Sequence, residues 1–93
     1  VAYCPRCHAV QLTELVPPSE IFSEYLYFSS YSTSYLEHAR RMAASLTARF
    51  GLGPKSFVVE IASNDGYLLQ FFQSAGIPVL GVEPAANVAA VAE

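Results

Sequence analysis

A strand, turn, helix, strand pattern in residues 57–84 constrains the fold of this chain more than any other feature. The run FVVEIA is short and β-branched, which is typical of a strand buried on both faces. SNDG has turn chemistry, and YLLQFFQSAG has the composition of an apolar helix of about three turns that ends at Gly76. IPVLGVEP is typical of a second buried strand stopped by Pro84, and AANVAAVAE begins another helix. This order predicts two parallel strands joined by a right-handed crossover, the first half of a Rossmann-like α/β domain. The predicted core of this unit consists of Phe57, Leu68, Leu69, Phe71, Phe72, Val79 and Leu80.

The turn after the first predicted strand has the spacing of a nucleotide-binding loop. Glu60, Ala62, Asn64 and Gly66 lie two residues apart, as in the pattern E-x-G-x-G-x-G. Ala62 is small enough for a ligand to approach closely, Asn64 tolerates a positive φ, and Gly66 allows close packing where the helix opens. We expect the loop to present backbone amides at a helix N-terminus.

Acidic residues in and after this loop favour one cofactor class over another. The carboxylates of Glu60 and Asp65 suit the ammonium and sulfonium groups of S-adenosylmethionine and would repel the pyrophosphate of a dinucleotide. Glu83 ends the second strand about 20 residues later, where a carboxylate can accept hydrogen bonds from both ribose hydroxyls. The alternative is structural: Asn64 and Asp65 cap a helix, and Glu83 is a solvated loop residue. The predicted cofactor-binding set is Glu60, Ala62, Ser63, Asn64, Asp65, Gly66 and Glu83.

The first half of the chain predicts an irregular segment and one long helix. Residues 1–33 are rich in Pro, Ser and Tyr, and their Pro-Pro pair is incompatible with a helix interior or a central strand. Ser34 and Glu37 have the spacing of a capping box, and Gly51 is a helix terminator. The apolar face of the intervening helix comprises Leu36, Ala39, Ala43, Leu46 and Phe50.

Cys4 and Cys7 admit three explanations. C-P-R-C-H has the spacing of c-type haem attachment, but no export signal precedes it and Met42, the lone methionine, lies inside a predicted helix. A thioredoxin-like site needs its cysteines at a helix start in a βαβ unit, whereas a strand-like AVQL follows these two. A Cys-x-x-Cys knuckle between two strands fits a structural zinc site better. Such a site needs four ligands, and here only His8 or His38 could join the cysteines, so we expect half of a site.

Composition and charge exclude several classes of protein. The net charge is −3 and no basic stripe exists, so a nucleic-acid partner is not expected. The apolar runs are too short to span a membrane. Two cysteines without a secretory signal predict a reducing, cytoplasmic compartment. The chain opens on Val1 and ends in a helix-like run without a cap, so we expect it to be a fragment, marginally stable and inactive as a catalyst by itself.

The whole chain resembles the sugar C-methyltransferases that act on nucleotide-linked deoxyketosugars. The resemblance is carried by CPRCHAVQL, VPPSEIFSEYLYFSSYSTS, RFGLGPKSFVVEIASNDGYLLQFF and GVEPAANVA. It implies an S-adenosylmethionine-dependent enzyme with an N-terminal zinc domain, a class I methyltransferase domain and a further Rossmann-like domain. Residues 1–33 would then be the end of the zinc domain plus an active-site cover, and residues 34–93 the start of the cofactor domain.

The resemblance also implies roles for individual residues. Cys4 and Cys7 would be two of four structural zinc ligands. Tyr25 and Tyr27 become candidates to contact cofactor or sugar, with packing as the alternative. The family's general base is expected beyond Glu93, so no residue here is assigned as catalytic. Two other functions stay open: a non-enzymatic zinc-ribbon binding module with a degenerate Rossmann half, and an NAD-dependent oxidoreductase.

Overall fold

The computed structural model describes residues 1–22 and 24–93, which form a mixed α/β chain with two small sheets. In chain order the elements are β1 (Ala2–Tyr3), β2 (Val10–Gln11), α1 (Pro18–Ile21), a 3₁₀ turn (Ser29–Tyr31), α2 (Thr33–Phe50), β3 (Val58–Ile61), α3 (Leu69–Ser74), β4 (Val79–Val82) and α4 (Ala86–Ala92). No helix in these two ranges has both the length and the apolar character needed to cross a bilayer.

The predicted parallel pair is confirmed. β3 and β4 are parallel, with Val58 opposite Val79 and Glu60 opposite Gly81. α3 lies between them in the chain, as the pattern predicts, but it begins only at Leu69. Residues 63–68 form successive turns instead, with the Gly66 amide donating to the Ser63 carbonyl. The predicted helix of three turns is therefore shorter than expected.

The core lies between α2, α3 and one face of the β3–β4 sheet. Ala43, Leu69, Phe72 and Ile77 form its buried centre. The opposite face of the sheet is uncovered: Val59 and Ile61 of β3, with Leu80 and Val82 of β4, are exposed. The prediction that both strands are buried on both faces is wrong for this chain. Phe57 and Leu80, predicted to be core residues, are exposed for the same reason.

Helix α2 differs from its prediction at its start and agrees at its end. Its N-cap is Ser32, whose hydroxyl accepts from the Tyr35 amide, so the predicted capping box at Ser34 is wrong. Glu37 instead forms ion pairs with Arg40 and Arg41. These cations explain the lower pKa of Glu37, about 2, with the hydrogen bond from Arg40 as the largest cause.

The remaining predictions for residues 1–51 are mostly confirmed. Gly51 ends α2 in the left-handed conformation, with φ +60°. Ala39 and Ala43 on the apolar face are buried, whereas Phe50 is exposed. β1 and β2 pair antiparallel around the cysteine knuckle. The Pro-Pro pair forms a helix start rather than an irregular segment, since Pro18 occupies the first turn of α1, where a missing amide hydrogen costs nothing.

Candidate functional site

The loop between β3 and α3 has an alternating backbone conformation. Ala62, Asn64 and Gly66 adopt positive φ values of 60°, 52° and 76°. A left-handed conformation costs a residue with a β-carbon roughly 1–2 kcal/mol, so the surrounding hydrogen bonds must hold Ala62 and Asn64 in place. The sequence predicted this for Asn64. For Ala62 it predicted only small size, although the two-residue spacing was the available signal.

The loop amides are directed at the protein itself. The amides of Ala62 and Ser63 both donate to the Val82 carbonyl, at 2.8 and 3.3 Å. The Asn64 amide donates to Oε2 of Glu83 at 2.9 Å, and the Gly66 amide donates to Ser63. The expectation of a loop presenting free amides at a helix N-terminus is therefore wrong for these four positions. An anionic pyrophosphate would have to displace bonds that are already made.

Glu83 joins the loop to the start of helix α4. Its Oε2 accepts from the amide of Asn64 and its Oε1 from that of Ala85, each at 2.9 Å. Both amides belong to buried residues, with Asn64 7% and Ala85 0% exposed. A carboxylate oxygen has two lone pairs, so each oxygen can still accept a hydrogen bond from a ligand. The solvated-loop alternative for Glu83 does not describe these contacts.

Residues 25–30, which we call the strap, cross the loop and are held by side-chain amides. The Tyr25 amide donates to Asn87 Oδ1 at 3.1 Å, and Asn87 Nδ2 donates to the Tyr25 carbonyl at 2.8 Å. Asn64 repeats this pattern, since its Nδ2 donates to the Tyr27 carbonyl and its Oδ1 accepts from the Ser29 amide. Two asparagines thus hold strap backbone that, in the described part of the chain, belongs to no sheet.

Asp65 completes the attachment of the strap. Its Oδ2 accepts from the Ser30 amide at 3.0 Å and from the Ser30 hydroxyl at 2.6 Å. Asp65 is 8% exposed, and its Oδ1 is buried without a hydrogen-bond partner in the described part of the chain. The helix-capping alternative for Asp65 does not apply, because its bonds go to the strap and α3 begins four residues later.

Two cavities flank the loop, and Asn64 and Glu83 line both of them. The larger, of about 720 Å³, lies against α3, β4 and α4 and also borders Ser63, Asp65 and Gly66. The smaller, of about 300 Å³, lies under the strap. Its walls are Phe22, Tyr25, Tyr27, Ser29, Ala62, Asn64, Tyr67, Glu83 and Pro84.

Glu60 and Tyr67 form a half-buried polar pair beside the loop. Burial raises the pKa of Glu60, and the neighbouring Tyr67 hydroxyl partly offsets this effect. Burial is also the largest cause of the raised pKa of Tyr67, followed by the hydrogen bond from Tyr35. The hydroxyls of Tyr35 and Tyr67 are 3.4 Å apart and their rings are stacked. One Glu60 oxygen is buried without a partner among the described residues.

Cys4 and Cys7 lie in the turn between β1 and β2, which hydrogen bonds close. The Cys4 amide donates to Ala9, the His8 amide donates to Cys4, and His8 adopts a φ of 59° to close the turn. Hydrogen bonds from the amides of Cys7 and Arg6, and from the Cys7 thiol, lower the pKa of Cys4. His8 Nδ1 is hydrogen-bonded to the Tyr3 hydroxyl. Within residues 1–22 and 24–93 no three metal-ligating side chains come together.

The structure brings most of the predicted cofactor set to one place. Ala62, Ser63, Asn64, Asp65, Gly66 and Glu83 line the two cavities, and Tyr25 and Tyr27 line the smaller one. Sequence reasoning missed Tyr67 and Asn87. Tyr67 directly follows the loop, so its position was a usable signal. Asn87 contacts a strap 62 residues earlier, and nothing in the local sequence indicates that pairing.

Comparison with known proteins identifies a relative across nearly the whole chain. The chain is 38% identical over 92 residues to the C-methyltransferase NovU of Streptomyces niveus. The match covers 99% of this chain and 22% of that protein. The resemblance to C-methyltransferases predicted from the sequence is thereby confirmed. No protein-family model matches the chain.

Proposed function

We propose that this chain forms the cofactor-binding half of an S-adenosylmethionine-dependent C-methyltransferase. The observation that carries the proposal is the position of Glu83. Its carboxylate lies at the end of β4, directly beside the loop that follows β3, and both of its oxygens retain acceptor capacity. The similarity to a C-methyltransferase over 99% of the chain supports the same function.

The described residues fit an adenosyl sulfonium in charge and in hydrogen-bonding capacity. Glu83 would accept hydrogen bonds from the ribose hydroxyls. Asp65, which borders the larger cavity, carries an oxygen without a partner among the described residues, which suits a ligand bearing an ammonium group and a sulfonium. Glu60 carries another such oxygen but lines neither cavity. Ala62, Ser63, Asn64 and Gly66 would shape the loop around the ligand. When bound, the cofactor supplies an electrophilic methyl group.

The same contacts argue against the dinucleotide alternative. A pyrophosphate needs several free amides and no nearby carboxylates. Here four loop amides are already used by protein acceptors, and Glu60, Asp65 and Glu83 surround the loop. A degenerate, ligand-free Rossmann half is also disfavoured, because two left-handed non-glycine residues would be retained at a cost without any function.

The acceptor that we propose is a nucleotide-linked deoxyketosugar. The resemblance over VPPSEIFSEYLYFSSYSTS, which contains the strap, supports it, as does the tyrosine-lined cavity beneath the strap. Tyr25 and Tyr27 would contact cofactor or sugar there. Proton abstraction beside the keto group requires a base, which we place outside residues 1–93. The complete enzyme would be cytoplasmic, with residues 1–33 ending a zinc domain and covering the site, and residues 34–93 beginning the cofactor domain.

We also propose that Cys4 and Cys7 supply two of four ligands to a structural zinc ion. The β1–β2 hairpin places both thiols in one turn. The hydrogen bonds from backbone amides that lower the Cys4 pKa favour the thiolate that zinc requires. His8 could add a third ligand through Nε2, because only its Nδ1 is hydrogen-bonded, to the Tyr3 hydroxyl. Elemental analysis of the complete protein should find one zinc per knuckle, and Cys4→Ser should remove it. A well-folded complete protein without zinc would contradict this proposal.

Titration calorimetry of the complete protein with S-adenosylhomocysteine and with NAD tests the function. We expect S-adenosylhomocysteine to bind and NAD not to bind. Binding of NAD alone would favour the oxidoreductase, and binding of neither would favour the non-enzymatic module. Glu14→Gln, which removes an exposed carboxylate that lines neither cavity, is the charge-matched control for variants of the site.

A further inference from the structure

We infer that Asn87 is a positioning residue that fixes Tyr25 and the start of the strap over the smaller cavity. This inference rests on the proposed function for its catalytic consequence, but its structural part stands alone. Asn87 lies in α4, outside the loop, and does not line either cavity. Within the described residues, its side-chain hydrogen bonds are the two to the backbone of Tyr25.

Asn87 hydrogen-bonds the backbone of Tyr25 in the way that a neighbouring β-strand would. An asparagine amide offers one donor and one acceptor in the same arrangement as a peptide group. Asn87 uses both on a single residue, accepting from the Tyr25 amide at 3.1 Å and donating to its carbonyl at 2.8 Å. Both polar groups of the Tyr25 backbone are therefore held by Asn87. These bonds fix the backbone position from which the Tyr25 side chain lines the smaller cavity.

A continuous set of bonds connects Asn87 to the cofactor loop. Glu83 accepts from the amides of Asn64 in the loop and of Ala85, the N-cap of α4. Asn64 in turn holds the strap through Tyr27 and Ser29. Loop, strap and α4 are therefore attached to one another at separate points. A ligand bound to Glu83 and the loop meets tyrosines already in place.

Helix propensity makes Asn87→Ala an informative variant. Alanine is a better helix former than asparagine, so the substitution favours α4 while removing both bonds to Tyr25. Any loosening of the strap then reports the lost bonds and not a weakened helix. Ser45→Ala is the control, because Ser45 is an exposed polar residue of a helix that lines neither cavity, and its side chain makes no hydrogen bond within the described ranges.

Amide hydrogen exchange of the complete protein, read by NMR, tests the inference. In Asn87→Ala, exchange at the Tyr25 amide should accelerate about tenfold or more, as the loss of one to two net hydrogen bonds implies, while β3 amides stay protected. Asn87→Asp keeps the acceptor for the Tyr25 amide and should restore part of the protection. Unchanged exchange at Tyr25 in Asn87→Ala would overturn the inference.

Steady-state kinetics and cofactor binding distinguish a positioning role of Asn87 from a purely structural one. Asn87→Ala should raise the KM for the acceptor several-fold, with a smaller change in kcat, and Ser45→Ala should change neither. Equal effects of both variants on KM would overturn the positioning role. If the wild-type protein protects Tyr25 but does not bind S-adenosylhomocysteine, the proposed function fails while the inference about Asn87 survives.

Discussion

Replacing Glu83 by glutamine should weaken the loop and the cofactor site together. The carboxylate accepts from the amides of Asn64 and Ala85, whereas a glutamine side chain has one acceptor and one donor. One of these two amides must lose its partner, and both belong to buried residues. Leaving a buried donor unsatisfied costs about 1–3 kcal/mol, so local opening should become roughly 5- to 150-fold more frequent.

The assay combines two measurements on the complete protein. Hydrogen exchange at the Asn64 and Ala85 amides reports the local free energy of opening, and calorimetry reports the affinity for S-adenosylhomocysteine. Loss of a charged acceptor for ribose hydroxyls should raise the Kd about 10- to 100-fold. Glu14→Gln, the charge-matched control, should change neither quantity. Unchanged exchange at both amides, or an unchanged Kd, would refute the reasoning about Glu83.

Three further predictions concern the loop and its support. Glu60→Gln should remove a pH dependence of folding stability. Because burial raises the pKa of Glu60, its contribution to stability is present below the ordinary pKa of 4.5. That contribution is lost as the pH rises through the pKa of Glu60 in the folded state. Wild-type stability should therefore fall relative to Glu60→Gln as the pH rises from 4.5, and parallel pH profiles in chemical unfolding would contradict this. Gly81→Ala should destabilise the fold by about 1–3 kcal/mol, because the added β-carbon would lie 2.5 Å from Ser63 Oγ. Gly53→Ala, which meets nothing within 4 Å, is its control and should be neutral in the same unfolding experiment. Ser30→Ala should accelerate exchange in the strap, because Asp65 Oδ2 loses a 2.6 Å hydroxyl donor, and equal exchange in both proteins would contradict that role.

The sequence predicted those features that depend on local pattern. Alternation of apolar runs with turn residues was enough for the parallel β3–β4 pair, and Gly51 was enough for the end of α2, because each signal lies within a few residues. The cap of α2 was misplaced because Ser32 and Ser34 are both good N-caps, and only the tertiary position of the preceding 3₁₀ turn selects Ser32.

The errors elsewhere arise from contacts between distant residues. Val59 and Ile61 have the composition of a strand buried on both faces, but burial depends on neighbours that a strand cannot specify by itself. Likewise most of the predicted loop residues lie together in the structure, yet their hydrogen-bond partners could not be predicted from the sequence. Asn64 and Asp65 bind a strap 35 residues earlier, and Glu83 uses its oxygens on backbone amides. Local sequence indicates which residues form the loop, whereas the hydrogen-bond partner of each residue depends on the tertiary fold.

A crystal structure of the complete protein with S-adenosylhomocysteine would show directly whether Glu83 and the loop bind the cofactor. We expect the ribose hydroxyls to hydrogen-bond to Glu83, the amides of Ala62, Ser63 and Asn64 to keep their present acceptors, and Tyr25 and Tyr27 to stay over the ligand. A ligand bound away from Glu83, or a loop whose amides turn to bind phosphate groups instead, would contradict it.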